Sequence, residues 1–414
     1  MPVERATEWP ATLDVRALVA DGWRPTPFRE FVLKIHSRCD LACDYCYMYQ
    51  MADQSWRSRP KRMSLAIADQ TAARIGEHVH RHGLHEIGLV LHGGEPLLAG
   101  PEFISHLVAA VRDAVGDDAT VHTSVQTNGV GLDDRYLALF NQIGVQVGVS
   151  LDGDSAGQDR HRRFATGRGS HMAVTTAVRK LIEDRYRHLF NGLLCVVDLD
   201  NDPMGTYEAL LVFRPPKVDF LLPHGTWESP PPGRLPDKAE TPYADWLITI
   251  FDHWYGQPRT QIRLFVEIIR LLMGGTSNIE AVGLAPTSFL VIETDGAIEQ
   301  ADTLKAAFHE APQTGLNVAH DSFDSALLLP EVAARQLGYR ALSAECRECL
   351  IRRVCGGGLY AHRYRPGTGF SNPSVFCPDL MRLIDHIRET VTADIAARIA
   401  RRSTYEHRLP SAAS

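Results

Sequence analysis

No stretch of this 414-residue chain approaches the roughly 18 consecutive apolar residues that a membrane helix needs. The first residues, MPVERATEWPATLDV, lack the basic and then apolar regions of a secretory signal. Lysine is scarce, with six against 37 arginines, and net charge is −7. No basic stripe carries interleaved aromatics, so nucleic acid is not an expected partner. The arginine excess reads as the codon bias of a GC-rich genome, or as a reserve of anion-binding groups. There is no internal repeat and no low-complexity segment. These absences point to a cytoplasmic protein with no membrane association. Cysteine is also sparse, but seven of the eight fall in two groups. In a large chain without an export signal, grouped cysteines more often bind metal than form disulfides.

A hydrophobic content of 44% is ample for a buried core, and the length suggests two or three domains. Apolar runs at Glu30–His36, Ile87–His92, Thr120–Gln126, Gln146–Leu151, Leu193–Val197 and Val218–Leu222 read as strands. Helical patterns lie between them at Ser64–His80, Pro101–Val115, Asp133–Gln142 and His171–Asp184. This alternation predicts an α/β fold, a partial (β/α)6 barrel of parallel strands, with an open doubly wound sheet as the alternative. In both, chemistry gathers at the C-terminal ends of the strands. The polar motifs fall there: Cys39 to Cys46, His92–Pro96 (HGGEP), Gln126–Gly129 (QTNG) and Ser150–Gly153 (SLDG).

The predicted organisation is a lead-in over 1–28, the barrel over 29–236 and a helical bridge over 237–287. A C-terminal domain over 288–402 and a frayed tail over 403–414 follow. The Pro-rich stretch Glu228–Pro236 reads as a loop or linker. Helices are expected at Tyr243–Trp254, Arg263–Met273 and Asp379–Arg402, and Ser288–Glu299 reads as a hairpin turning at Asp295–Gly296.

Cys39, Cys43 and Cys46 form C-x3-C-x2-C. Three thiolates can hold three irons of a [4Fe–4S] cube and leave the fourth open to an external ligand. The competing reading is zinc with His36 as fourth ligand. CDLACDYCY, with HGGEP and SLDG downstream, resembles the radical S-adenosylmethionine (SAM) superfamily over nearly the whole chain. The resemblance implies that the open iron chelates SAM and that a 5′-deoxyadenosyl radical abstracts hydrogen from a substrate. It also implies SAM contacts from Tyr45, Gly93, Gly94, Glu95, Gln126, Ser150 and Arg162. Competing readings are a plain turn for GGEP and for Asn128–Gly129, and a solvated charge run for Arg162 within Arg160–Arg163.

Cys346, Cys349, Cys355 and Cys377 form C-x2-C-x5-C-x21-C, which by spacing suits either zinc or a fully ligated [4Fe–4S] cluster. After a radical SAM core, the pattern resembles the SPASM extension. That extension usually carries seven cysteines and two auxiliary clusters. Here the distal set is present, while Gln300-Ala301-Asp302 stands where relatives end a segment in Pro-Cys-Asp. One auxiliary cluster is therefore expected, two [4Fe–4S] clusters in all, and Cys195 reads as a buried apolar residue. The space of the missing cluster is expected to be open to substrate. The resemblance makes Asp302 a candidate proton acceptor, a turn or capping aspartate being the bland alternative.

PHGTW (Pro223–Trp227), IETDG with EQADTLK (Ile292–Lys305), Val354–Phe370 and Asn372–Leu380 resemble the FxsB-like peptide maturases. That group joins an aromatic ring carbon to the β-carbon of a residue two positions on, forming a cyclophane in a ribosomal precursor peptide. The resemblance implies an oxidoreductase acting on such a peptide, with an electron donor such as ferredoxin or flavodoxin. The lead-in is too short for a winged-helix peptide-recognition domain, so the leader is expected to bind elsewhere, for example by adding a strand to an exposed sheet edge. The alternatives are thioether or formylglycine formation, and a non-catalytic zinc-stabilised binding module.

Overall fold

The computed structural model describes residues 8–234 and 240–406. The expected strands form β1 (Glu30–His36), β2 (Glu86–Gly93), β3 (Thr120–Thr127), β4 (Val145–Ser150), β5 (Phe190–Val196) and β6 (Lys217–Leu221). All pair in parallel in chain order. A two-residue β7 (Gln261–Ile262) extends that edge. Helices α2 (Leu65–His82), α3 (Pro101–Val115), α4 (Asp134–Ile143), α6 (His171–Leu181) and α7 (Pro203–Leu211) make the crossovers. The fold is thus the partial (β/α)6 barrel with a C-terminal extension.

Local chemistry sets the helix ends. Ser64 and Asp133 accept from the backbone N–H groups of Ile67 and Tyr136 at the starts of α2 and α4. Gly83 and Gly144 end the same helices at φ of +57° and +65°, where a Cβ is disfavoured. Two helices escape the sequence pattern. The polar α5 (Ser155–His161) buries only Gly157 and Gln158, and α7 carries Pro and Gly in its first turn.

The predicted hairpin is β8 (Phe289–Ile292) and β9 (Ala297–Glu299), turning at Gly296 (φ +81°). It joins the barrel sheet, since β8 pairs in parallel with β1. With β10 (Gln313–Asn317) at the edge, ten strands run β10-β9-β8-β1-β2-β3-β4-β5-β6-β7. Beyond β6 come α8 (Pro242–Gly256) and α9 (Arg263–Leu272), against which the C-terminal helix (Cys377–Glu406) packs. That helix runs through Glu406, past the expected onset of fraying, and 407–414 lie outside the described residues. In the lead-in, α1 (Val15–Ala20) forms, and Glu8 and Trp9 accept from the backbone N–H groups of Gly367 and Phe370. Among the described residues, no helix is long and apolar enough to cross a membrane.

Candidate active site

The C-terminal ends of β1 to β4 meet around the first cysteine loop. Cys39, Cys43 and Cys46 are half-buried there. Burial pushes all three thiols up, Cys43 to about 11, so iron binding must displace protons. The Cys39 sulfur accepts from the Leu41 N–H at 3.4 Å and from Asn128 Nδ2 at 3.5 Å. Asn128 Nδ2 also donates to Asp40 at 2.7 Å. Asn128, expected only to turn a loop, therefore ties the end of β3 to the cysteine loop.

The glycines of HGGEP serve close approach between the chain's own segments. A Cβ on Gly93 would meet the His36 carbonyl at 2.2 Å, and one on Gly94 the Arg38 carbonyl at 2.6 Å. The N–H groups of Gly94 and Glu95 donate to those two carbonyls at 2.8 and 2.9 Å. Glu95 is buried and accepts from Leu97 N, Thr127 Oγ1 and Asn128 N at 3.0, 2.7 and 2.8 Å. Burial pushes its carboxyl up to about 7. It links the ends of β2 and β3 and keeps little capacity for an external ligand.

The other predicted SAM contacts fall into two groups. Gln126 Nε2 donates to Ser150 Oγ at 3.0 Å, across the space that Gly148 leaves open. Arg162 is buried and donates to the Tyr45 hydroxyl at 3.0 Å, and Tyr45 donates to Asp152. Arg162 is thus no solvated charge, although its neighbours Arg160 and His161 pair with Asp198 and Asp44. Its Nε is buried without a partner among the described residues.

Asp302 lies apart from these groups, in a constellation the sequence reading missed. Lys34 of β1 is fully buried and ion-paired to Asp302 Oδ2. Its Nζ also meets His92 Nδ1 at 2.9 Å and the Met48 sulfur at 3.6 Å. The Tyr47 hydroxyl donates to Asp302 Oδ2 at 2.9 Å. Burial raises the Asp302 pKa, but the Lys34 charge, His92 and the hydrogen bonds from Lys34 and Tyr47 together outweigh it and hold the carboxyl well below the usual range. His92 is pushed down to about 4, by burial and then by Lys34, and is neutral. Oδ2 is saturated, whereas Oδ1 has no partner among the described residues. A lysine inside the apolar strand EFVLKIH was the available signal, since a buried cation must find an anion.

The second cysteine set is built around a cavity. Ser343 caps the turn that presents Cys346, Cys355 ends the short helix Arg352–Cys355, and Cys377 opens the C-terminal helix. The cavity, about 160 Å³, is lined by Cys346, Cys349, Cys355 and Cys377. Among the described residues, no three of these sulfurs lie within 4.8 Å of one another, wider than the ligands of one zinc at about 2.3 Å would stand, and the spacing suits an iron–sulfur cube. Arg363 secures the neighbouring Gly356–Gly358 turn by donating to all three carbonyls, at 2.7, 3.1 and 2.7 Å. Cys195 is fully buried in β5, away from both sets.

The position where a second auxiliary cluster would call for a cysteine is packed among apolar side chains. Ala301 is buried in an apolar cluster with Leu304, Tyr360 and Phe370. The neighbouring Asp302 side chain is 14% exposed. Another grouping, His78, His82 and Asp324, brings three ligand atoms within 4.8 Å of one another. His78 Nε2 accepts from the Phe28 N–H, so its proton sits on Nδ1 and donates to Asp324 at 2.8 Å. That tautomer leaves no lone pair at Nδ1 for a metal, and the trio is a hydrogen-bonded staple.

Residues 33–208 of this enzyme match the Radical SAM superfamily, and its strand-end motifs and first cysteine set lie in that stretch. Its cofactors are SAM and two [4Fe–4S] clusters, which suit the two cysteine sets. The chain is 28% identical over 357 residues to a serine-type anaerobic sulfatase-maturating enzyme of Klebsiella aerogenes, covering 83% of this chain and 82% of that one. It is 23% identical to a cysteine-type anaerobic sulfatase-maturating enzyme of Clostridium novyi, covering 82% and 90%. Among solved structures it superposes on native anSMEcpe with bound AdoMet and Kp18Cys peptide at a TM-score of 0.75, with 20% identity and 89% and 99% coverage.

Proposed function

We propose that the enzyme oxidises a side chain of a peptide or protein by two electrons, with hydrogen abstracted at a β-carbon beside Asp302. When bound, SAM on a cluster at Cys39, Cys43 and Cys46 supplies the 5′-deoxyadenosyl radical, and a cluster at Cys346, Cys349, Cys355 and Cys377 supplies an acceptor for the electron released. Gly93, Gly94, Gln126, Ser150 and Arg162 border the cofactor, and Glu95 and Tyr45 fix the strand ends that carry them. The observation that carries the reading is the half-satisfied carboxylate of Asp302, with Oδ2 fixed by Lys34 and Tyr47 and Oδ1 left to accept from a substrate. A carboxylate so weakly basic suits the strongly acidic proton of an oxidised radical.

The balance is one hydrogen atom to the adenosyl radical, one proton to Asp302 and one electron to the acceptor. For a serine Cβ this yields the aldehyde of formylglycine, and the 28% relatives favour this form. A second form is the aromatic-to-Cβ cyclophane, which the likeness of Pro223–Trp227 and Val354–Phe370 to the FxsB-like maturases implies. Both forms remove two hydrogens from the substrate.

Two peptides test this: a serine-containing sulfatase-type sequence and an aromatic-x-x sequence from a short reading frame beside the gene. A hydrazide-reactive aldehyde establishes the first form. A product without aldehyde, whose fragmentation skips three residues from an aromatic, establishes the second. A crosslink at a cysteine sulfur points instead to thioether formation. If 5′-deoxyadenosine accumulates while neither peptide changes, the peptide reading is wrong.

A further inference from the structure

We infer that the rim of the four-cysteine cavity is the docking surface of a small acidic one-electron carrier protein. This rests on the reading that the cavity holds an iron–sulfur cluster that takes the substrate's electron. Each turnover then leaves one electron on that cluster, and it must pass to an external acceptor or return to the SAM cluster. The cavity is placed for external exchange, since Cys346, Cys349 and Cys377 are only half-buried.

The rim combines an apolar centre with unpaired cations. Leu350, between two ligand-bearing turns, is 94% exposed, and Tyr339 and Met381 are exposed beside it. Arg340, Arg347 and Arg353 are exposed, and Arg352 is half-buried with its guanidinium 5.8 Å from the Tyr339 ring centroid. The Tyr339 hydroxyl reaches the Arg347 carbonyl at 3.5 Å, which places this turn beside the cysteine turn. Four arginines face two glutamates, Glu345 and Glu348, over residues 339–353, an excess of two positive charges in a chain of net −7. Among the described residues, none of the four forms an ion pair. Exposed apolar surface ringed by uncompensated charge of one sign suits a transient interface with an oppositely charged partner, where charge sets the encounter rate.

The competing account is that the arginines offset the negative charge of a thiolate-bound cluster. Arg352 fits that role, since its guanidinium donates to the Cys349 carbonyl at 3.0 Å. The side chains of Arg347 and Arg353 have no hydrogen-bond partner among the described residues, which leaves them to a partner protein.

The test compares the reconstituted enzyme with its Arg347→Glu/Arg353→Glu variant, using oxidised flavodoxin as the probe. The first readout is flavodoxin affinity. The second is the rate at which the reduced enzyme passes one electron to the flavin, which becomes the semiquinone as the cluster returns to its oxidised state. At about 50 mM salt both should fall tenfold or more, the scale of electrostatic steering, and the difference should close near 0.5 M. A small neutral quinone should oxidise both proteins at the same rate. Leu350→Ser should weaken binding while leaving its salt dependence intact. Unchanged flavodoxin affinity and rate would overturn the proposal. So would a loss shared with the quinone, which would assign the arginines to the cluster. A variant with altered KM for peptide but unaltered flavodoxin binding would give the rim to the substrate instead. A protein that the quinone cannot oxidise at all lacks the cluster, and then the underlying reading fails.

Discussion

Lys34 is buried among apolar neighbours on β1, and Asp302, His92, Tyr47 and the Met48 sulfur make its burial tolerable. Removing the lysine strands a carboxylate, so Lys34→Met should lower stability by about 3–5 kcal/mol, read from the denaturation midpoint. Asp302→Asn keeps size and hydrogen bonding but removes the acceptor. SAM cleavage should continue while substrate oxidation slows by roughly 10²–10⁴-fold, so that 5′-deoxyadenosine exceeds product. If the two stay coupled at the normal rate, Asp302 is only a turn residue. Glu95 gives a pH signature. Its folded pKa is raised to about 7, so its contribution to stability is present below about 4.5 and lost as pH rises through about 7. The loss is on the order of 3 kcal/mol. Glu95→Gln should lose less stability between pH 5 and 8 than the unaltered protein, and an identical pH slope would refute the assignment.

At the scale of elements, the β8–β9 hairpin is fastened to the barrel by charge as well as by sheet pairing. Lys305, fully buried, meets Asp53, Glu293 and Glu299 at 3.0, 3.3 and 3.4 Å. Arg59 binds Asp295 and Glu299 at 2.5 Å. The partners come from the segment after the cysteine loop and from the hairpin, so the network sets where Asp302 stands relative to Cys46. Lys305→Met leaves buried acids without their cation and should cost about 3–5 kcal/mol. It should also weaken protection of the β9 amides in hydrogen exchange. Unchanged protection would mean that sheet pairing alone fixes the hairpin.

At the scale of the molecule, the two cysteine sets sit on separate parts of the chain and should fail separately. Replacing Cys39, Cys43 and Cys46 together by alanine should leave one cluster and end 5′-deoxyadenosine formation. Cys349→Ala or Cys377→Ala should spare SAM cleavage and block finished product, with iron content halved. Cluster ligation contributes folding energy, so thermal melts must accompany the assay. Full product formation without the second cluster would remove its role as electron acceptor.

The sequence by itself determined the barrel strands, because each buries at least one face and so repeats apolar residues at short range, alternating in β2 and nearly continuous in β5. It determined the hairpin through Asp295–Gly296 and the loop of Cys39, Cys43 and Cys46, because short spacing is a local property, whereas Cys377 joins its set from the start of the C-terminal helix. It did not determine what the polar residues at the strand ends do. Glu95 has the motif position of a cofactor contact, yet its oxygens are taken by β3, and Asn128 has the pattern of a turn, yet it bonds Cys39. Lys34 and Asp302 are 268 residues apart and meet only because β8 pairs with β1. Ala301 stands where the resemblance calls for a ligand, but its packing depended on Tyr360 and Phe370, which arrive from another segment. Periodicity and spacing follow from short-range geometry, whereas the partner of a buried charge is chosen by whichever segment the fold brings to it.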